Sequence, residues 1–231
     1  MVTASRPYTY ADLFDWPPDG DDRIYDLLGG DLVVRNAPDI NHGVVLSELT
    51  LLLGDAQRAG YGQLLTDPHA VALDYPQRAE AALDVSHPDL FFIRSGREEL
   101  WRGRRAMLGV PDLIVEVRSP STAEEHAAGG KLWDAYERNG VPHYWIVDPH
   151  ARTIEQFTLD GEPYAGGHFG TPVLLVEGDV LRSPLFPDIS LPVATVFRNV
   201  AAAEPARSHG RRRGLIDRPH RPRRDGDADG Q

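Results

Sequence analysis

Pro111-Asp112-Leu113-Ile114-Val115-Glu116-Val117-Arg118-Ser119-Pro120 is the stretch on which the fold turns. Leu113, Ile114, Val115 and Val117 are aliphatic and mostly β-branched, which predicts a central strand over Asp112–Val117, buried on both faces. Glu116 interrupts that run. A carboxylate there must be paired, protonated or bound to a metal. The plainer alternative is a strand-end acid reaching water, since Ser119-Pro120 follows at once.

Working outward, Val45, Leu46, Leu49, Leu52, Leu53 and Ala56 recur at helical spacing, predicting a helix over Asn41–Ala59 that Gly60 stops. Between that helix and the central strand lie two apolar runs, Gln63–Leu73 and Leu83–Ile93, the second interrupted by Pro88; each reads as a strand. Beyond the central strand, Ser121 or Thr122 offers a helix cap, with Glu124 or Glu125 completing a capping box. Gly129-Gly130 would cost about 2 kcal/mol inside a helix, so the regular helix is expected from Lys131 to Asn139. Tyr144–Val147 reads as a buried strand, and Arg152–Leu159 and Val173–Val176 as antiparallel additions, closed by a short segment near Val193–Val200. Upstream, Thr9 could cap a helix over Tyr10–Trp16, and Tyr25–Leu28 with Asp31–Arg35 forms a hairpin through Gly29-Gly30. The order helix, three strands, helix, strand predicts an α/β fold, a mixed central sheet flanked by helices with added hairpins. A generic α+β sandwich is the competing architecture.

The composition narrows the chemistry. The chain has 231 residues, 41% of them hydrophobic, enough for one domain over residues 1–200 with a real core. Residues 201–231, with eight Arg against five acids among Pro and Gly, read as a disordered tail. Cysteine is absent, which excludes disulfide frameworks, thiolate zinc sites and Cys nucleophiles. No apolar stretch approaches ~20 residues and no basic leader precedes an apolar run, so a soluble, cytoplasmic protein with no membrane partner is expected. The net charge of −11 argues against broad, sequence-independent adhesion to nucleic acid. Of the 24 basic residues all but Lys131 are Arg. That single lysine is either a chance survivor or a position that requires a compact ammonium.

Asp89 sits in His87-Pro88-Asp89-Leu90-Phe91-Phe92-Ile93, at the mouth of an apolar run. Alone it reads as a turn or cap aspartate. If its strand neighbours that of Glu116, two carboxylates converge at one sheet edge, and such hard oxygen ligands suit Mg²⁺ or Mn²⁺. Lys131, just after the second strand, could reach the same point. Two acids and one ammonium are what metal-assisted phosphodiester cleavage needs. Asp112 lies four residues from Glu116, ~13 Å along an extended chain, too far to share one ion. Arg94, Arg97, Arg102, Arg104 and Arg105 form either a phosphate-facing patch or a solvated loop. His87 and His143 lack paired-ligand spacing, and Trp133, Tyr144 and Trp145 read as core aromatics.

These residues carry a resemblance. Pro88-Asp89 followed by Glu116 in a buried strand is similar to the PD-(D/E)xK nuclease superfamily. Tyr25-Asp26-Leu27-Leu28-Gly29-Gly30-Asp31-Leu32, then Pro111 to Thr122, then Gly140-Val141-Pro142-His143-Tyr144-Trp145-Ile146-Val147-Asp148-Pro149 resemble the Uma family of restriction endonucleases, over about residues 8–197. The resemblance implies a restriction-endonuclease-like fold, with Asp89 and Glu116 as metal ligands and Arg118 in the place of the superfamily's usual lysine. In the Uma family that lysine is relocated to the following helix, which matches Lys131. Asp31 and His42 occupy family positions as accessory candidates, although a capping or exposed histidine is the plainer reading of His42. Departures are Asp26 and Asp31 where the family carries Glu, His126 where it often carries Asp, and a Ser119-to-Lys131 spacing one residue long. The expected function is a Mg²⁺- or Mn²⁺-dependent endonuclease acting on DNA, in which a homodimer is implied by resemblance alone. A catalytically weakened or inactive nuclease-fold module associated with DNA is the rival.

Overall fold

A computed structural model of the chain describes residues 7–13, 24–35, 38–75, 82–119 and 127–201. The proposed cap and capping box at 121–125, His126, the far end of the first predicted helix and the 202–231 tail lie outside the described residues.

The predicted central strand forms as β8 (Leu113–Val117), every residue of it buried. It pairs antiparallel with β6 (Leu90–Arg94), Leu90 opposite Val115, and parallel with β9 (His143–Asp148), Glu116 opposite Ile146. The seven-stranded sheet then runs outward on one side to β3 (Gly62–Thr66), and on the other to β10 (Thr153–Glu162), with β11 (Gly166–Phe169) and β12 (Val173–Val176) both on β10. The sheet is mixed, as expected.

A second, five-stranded sheet takes part as well, where only peripheral hairpins had been expected. It runs β2 (Asp31–Val34), β1 (Tyr25–Leu28), β5 (Val85–Ser86), β4 (Val71–Ala72), β7 (Met107–Leu108). The apolar runs Gln63–Leu73 and Leu83–Ile93 are therefore not one strand each. The first divides into β3 and β4 around Asp67-Pro68, the second into β5 and β6 around Pro88, and each passes from one sheet to the other. Proline has no N–H for a ladder, so the chain leaves a sheet where proline stands.

Helix α1 (Tyr10–Leu13) is short, and Thr9 at its start donates its N–H and hydroxyl to Asp12, each at 2.8 Å. Helix α2 (Ile40–Arg58) sets Val45, Leu49, Leu53 and Ala56 against Leu90, Phe92, Leu113, Val115 and Val117 on one face of the large sheet. The short helix α4 (Val193–Phe197) and the pair β13 (Val180–Arg182) and β14 (Ser190–Pro192) close the same face. On the other face, α3 (Lys131–Arg138) sets Leu132, Trp133, Ala135 and Tyr136 against Ile114, Tyr144 and Ile146. The two core clusters are the two faces of one pleated sheet, since successive β8 side chains alternate between them. Helix α3 begins at Lys131, with Gly130 extended before it, as the glycine pair requires. The Gly29-Gly30 turn has φ of 63° and 86°, the left-handed pair that a two-residue hairpin needs. No helix among the described residues is long and apolar enough to cross a membrane.

Candidate active site

The register of β6 against β8, continued one step beyond Leu90 and Val115, sets Asp89 opposite Glu116. Both side chains are almost fully buried, and the Asp89 N–H points at Glu116 Oε2, 3.5 Å away. The structure thus brings together the two carboxylates singled out in the sequence, near the end of β8 where its ladder with β6 stops.

Each is held by different partners. Asp89 Oδ2 accepts the Val117 N–H at 2.7 Å and lies 3.0 Å from His42 Nε2. His42 is buried in the first turn of α2, where Asp39 Oδ1 caps its backbone N–H at 2.9 Å. It is neither merely a cap nor exposed. Its Nδ1 is buried with no partner among the described residues. Tyr136, from the buried face of α3, donates its hydroxyl to Glu116 Oε1 at 2.7 Å.

The cation beside the pair is Arg35, which follows β2. Its Nη2 lies 3.2 Å from Asp89 Oδ1 and 3.9 Å from Glu116 Oε2. Its Nη1 reaches Asp67 Oδ1 at 3.3 Å and donates to the His87 carbonyl, and its Nε lies 3.9 Å from Asp26 Oδ2. Asp26 also accepts the His87 N–H at 2.9 Å and lies 3.0 Å from His87 Nδ1. Arg35, Asp26, Asp67 and Tyr136 were not singled out from the sequence as site residues. A hairpin end that returns to the His87-Pro88-Asp89 corner is the only signal for Arg35, and it needs the β1–β5 pairing to be visible.

Lys131 stands elsewhere. Its Nζ pairs with Asp31 Oδ2 at 3.3 Å, with the two side chains 56% and 74% exposed. The expectation that its ammonium stands at the carboxylates is corrected by helical geometry: Lys131, Asp134 and Arg138 form the outer face of α3, while 132, 133, 135 and 136 turn inward. Asp31 is likewise in that surface pair. Arg118 is taken up by Asp148 and Glu155, at 3.7 and 3.1 Å. Arg94 and Arg97 do not form a free phosphate-facing patch, because both bind Asp112 at 2.7 Å.

Burial dominates the electrostatics. It pushes Glu116 well above the ordinary glutamate range, and the neighbouring Asp89 charge pushes the same way, against Arg35 and Tyr136. Burial would raise Asp89 too, but His42, Arg35 and the Val117 N–H hold it below its usual value. Of the two, Glu116 is therefore the carboxyl that takes up a proton more readily, and Asp89 the one that holds its charge. Among the described residues, no group of three His, Cys, Asp or Glu side chains could hold a metal ion unaided. The donor chemistry nevertheless fits a hard divalent cation. Asp89 Oδ1 and Glu116 Oε2 converge on one positive group, the Arg35 guanidinium, and Mg²⁺ takes one or two carboxylates and completes its shell with water.

The comparisons bear on the fold and on the family. The crystal structure of "a putative nuclease belonging to DUF820" from Anabaena variabilis superposes with a TM-score of 0.63 at 14% identity, covering 83% of this chain and 98% of that one. At that identity the likeness speaks for the fold alone. A search of curated proteins finds no match. Residues 10–194 match the model of the Uma2 family, described as "Putative restriction endonuclease", and the chain belongs to that family.

Proposed function

We propose that the protein is a Mg²⁺- or Mn²⁺-dependent endonuclease that hydrolyses DNA phosphodiester bonds at Asp89 and Glu116. The observation that carries this reading is the convergence of two buried carboxylate oxygens on one cation position at the end of β8. The structural cluster at Asp112 gives one acid two arginines, whereas here Arg35 faces four acids, Asp26, Asp67, Asp89 and Glu116.

In this reading Asp89 and Glu116 hold the cation, which would polarise a scissile phosphate and make a nearby water more acidic. His42 and the Val117 N–H fix the Asp89 carboxylate so that Oδ1 faces the site, and Tyr136 fixes Glu116 so that Oε2 does. Orienting contacts of this kind keep ligands from having to reorganise when the metal arrives. Lys131, on the exposed first turn of α3, could act only by leaving Asp31 when DNA binds.

The surface position of Lys131 and the net charge of −11 favour a second reading, a nuclease-fold module associated with DNA but without turnover. Purified protein incubated with Mg²⁺ or Mn²⁺ and varied DNA, beside Glu116→Gln, separates the two. The first reading expects cleavage that the substitution abolishes. Binding without cleavage supports the second, and cleavage indifferent to Glu116→Gln contradicts the site assignment.

A further inference from the structure

We propose that Arg35 is the resident counter-ion of the metal site, occupying the cation position in the free protein and vacating it on loading. The inference rests on the reading of Asp89 and Glu116 as metal ligands. Three observations carry it.

The first is position. One guanidinium nitrogen, Nη2, faces Asp89 Oδ1 and Glu116 Oε2 after His42, Val117 and Tyr136 have taken the other two oxygens, with only the Asp89 N–H, 3.5 Å from Oε2, beside it. A metal binding Asp89 Oδ1 and Glu116 Oε2 needs those same lone pairs. A divalent cation and a guanidinium within about 4 Å of each other in a water-poor site also repel strongly.

The second is anchorage. Nη1 and Nε hold a separate set of acceptors, Asp67, the His87 carbonyl and Asp26, none of which depends on Nη2. The planar guanidinium moves as one body, so withdrawing Nη2 from Asp89 and Glu116 tilts the other nitrogens too, but Asp67, Asp26 and the His87 carbonyl remain beside it to hold the displaced head. The third is access. The Arg35 side chain is 19% exposed, while Asp89 and Glu116 are at 4% and 1%. Among these three side chains Arg35 is the one nearest solvent, on the side where Asp67 is 33% exposed.

An arginine that only staples the hairpin to the β5–β6 corner would show other behaviour. Removing it would lower stability equally with and without metal, and would loosen the metal site. A resident counter-ion, once removed, leaves the carboxylates free for metal at the expense of the metal-free protein.

The experiment titrates the full chain with Mn²⁺ alone by calorimetry, for the unaltered protein, Arg35→Gln and Glu116→Gln, with thermal melts in each state. Arg35→Gln is expected to bind Mn²⁺ at least about tenfold tighter, and to melt lower without metal but close to the unaltered protein when saturated. Unchanged or weaker Mn²⁺ binding by a folded Arg35→Gln overturns the proposal while leaving the metal-centre reading intact. If instead neither protein binds Mn²⁺, or Glu116→Gln binds as well as the unaltered protein, the metal-centre reading itself fails. Should Arg35→Gln not fold, ¹⁵N-arginine spectra of the unaltered protein give the answer, with the Arg35 Nε–H resonance identified by its loss in Arg35→Lys. That resonance is expected to shift as Mg²⁺ saturates the site. A resonance unmoved at saturation contradicts the proposal.

Discussion

Strand β8 carries a buried acid near each end, and the two are treated in opposite ways. Asp112, just before the strand, accepts four hydrogen bonds: from the Arg94 N–H at 3.0 Å, and from Arg94 Nε, Arg97 Nη1 and the Tyr164 hydroxyl at 2.7 Å each. Two arginines serve one carboxylate, and Arg97 stacks 4.2 Å over the Tyr164 ring. Nothing is left over. At the other end, Glu116 and Asp89 share the guanidinium of one arginine, which also serves two further aspartates. One end of the strand is closed and satisfied; the other is short of positive charge. On the proposed reading, that surplus of negative charge is what a bound divalent cation would neutralise.

The contrast can be broken by mutation. Glu116→Gln should cut DNA cleavage by more than about 100-fold, since the loss of a ligand exceeds what supporting contacts to a metal ligand usually cost. Its melting temperature should not fall, because burial and the Asp89 charge already oppose a charge on Glu116, and Gln is a neutral isostere. Asp112→Asn should do the reverse. It leaves two arginines facing an amide, so stability should drop by about 3 kcal/mol in chemical denaturation, with cleavage per folded molecule retained. If Asp112→Asn abolishes cleavage without unfolding the protein, the two ends are not distinct.

His42→Ala sharpens the picture on the open side. Mn²⁺ affinity should fall about 10–100-fold in calorimetry while the chain stays folded, as the Asp89 carboxylate loses its orienting partner.

Acid pH offers a smaller, signed test of the closed side. Burial would raise the Asp112 pKa, but the Arg94 N–H, Tyr164, Arg97 and the Arg94 side chain together hold it below its ordinary value. A carboxylate with a depressed folded-state pKa contributes stability that is complete above its unfolded value of about 4 and is lost as pH falls through the folded one. The stability gap between the unaltered protein and Asp112→Asn should therefore be full at pH 7 and shrink below about pH 4, as read by thermal melts. A gap that widens on acidification would contradict the assignment. The smallest effect is expected at Lys131, where Lys131→Arg keeps an exposed pair with Asp31 and should shift stability by less than about 0.5 kcal/mol and leave cleavage unchanged. Loss of cleavage in that variant would show that Lys131 leaves Asp31 to act on bound DNA.

The parts of this account legible in the sequence are those governed by local periodicity. The apolar spacing of α2, the β-branched run of β8 and the glycine pair before Lys131 each follow from short-range rules, and the structure has them within a residue or two. The placing of Asp89 and Glu116 side by side needed only the assumption that their strands are neighbours. Arg35 was not legible, because its contact with Asp89 spans 54 residues and depends on a second sheet whose short strands carry little pattern of their own. Tyr136 lies within the helix expected over Lys131–Asn139, but its hydroxyl finds a role only once α3 packs across β8. Lys131 shows the converse error: the rarity of a residue says nothing about which face of a helix it takes.

The central claim, that Asp89 and Glu116 close on one divalent cation, is tested most directly by anomalous diffraction from crystals of the full chain soaked in Mn²⁺. The account predicts a manganese peak bonded to Asp89 Oδ1 and Glu116 Oε2, with the Arg35 guanidinium turned toward Asp67. A manganese bound elsewhere, or a saturated protein with Arg35 still bridging the two carboxylates and no metal between them, would contradict it.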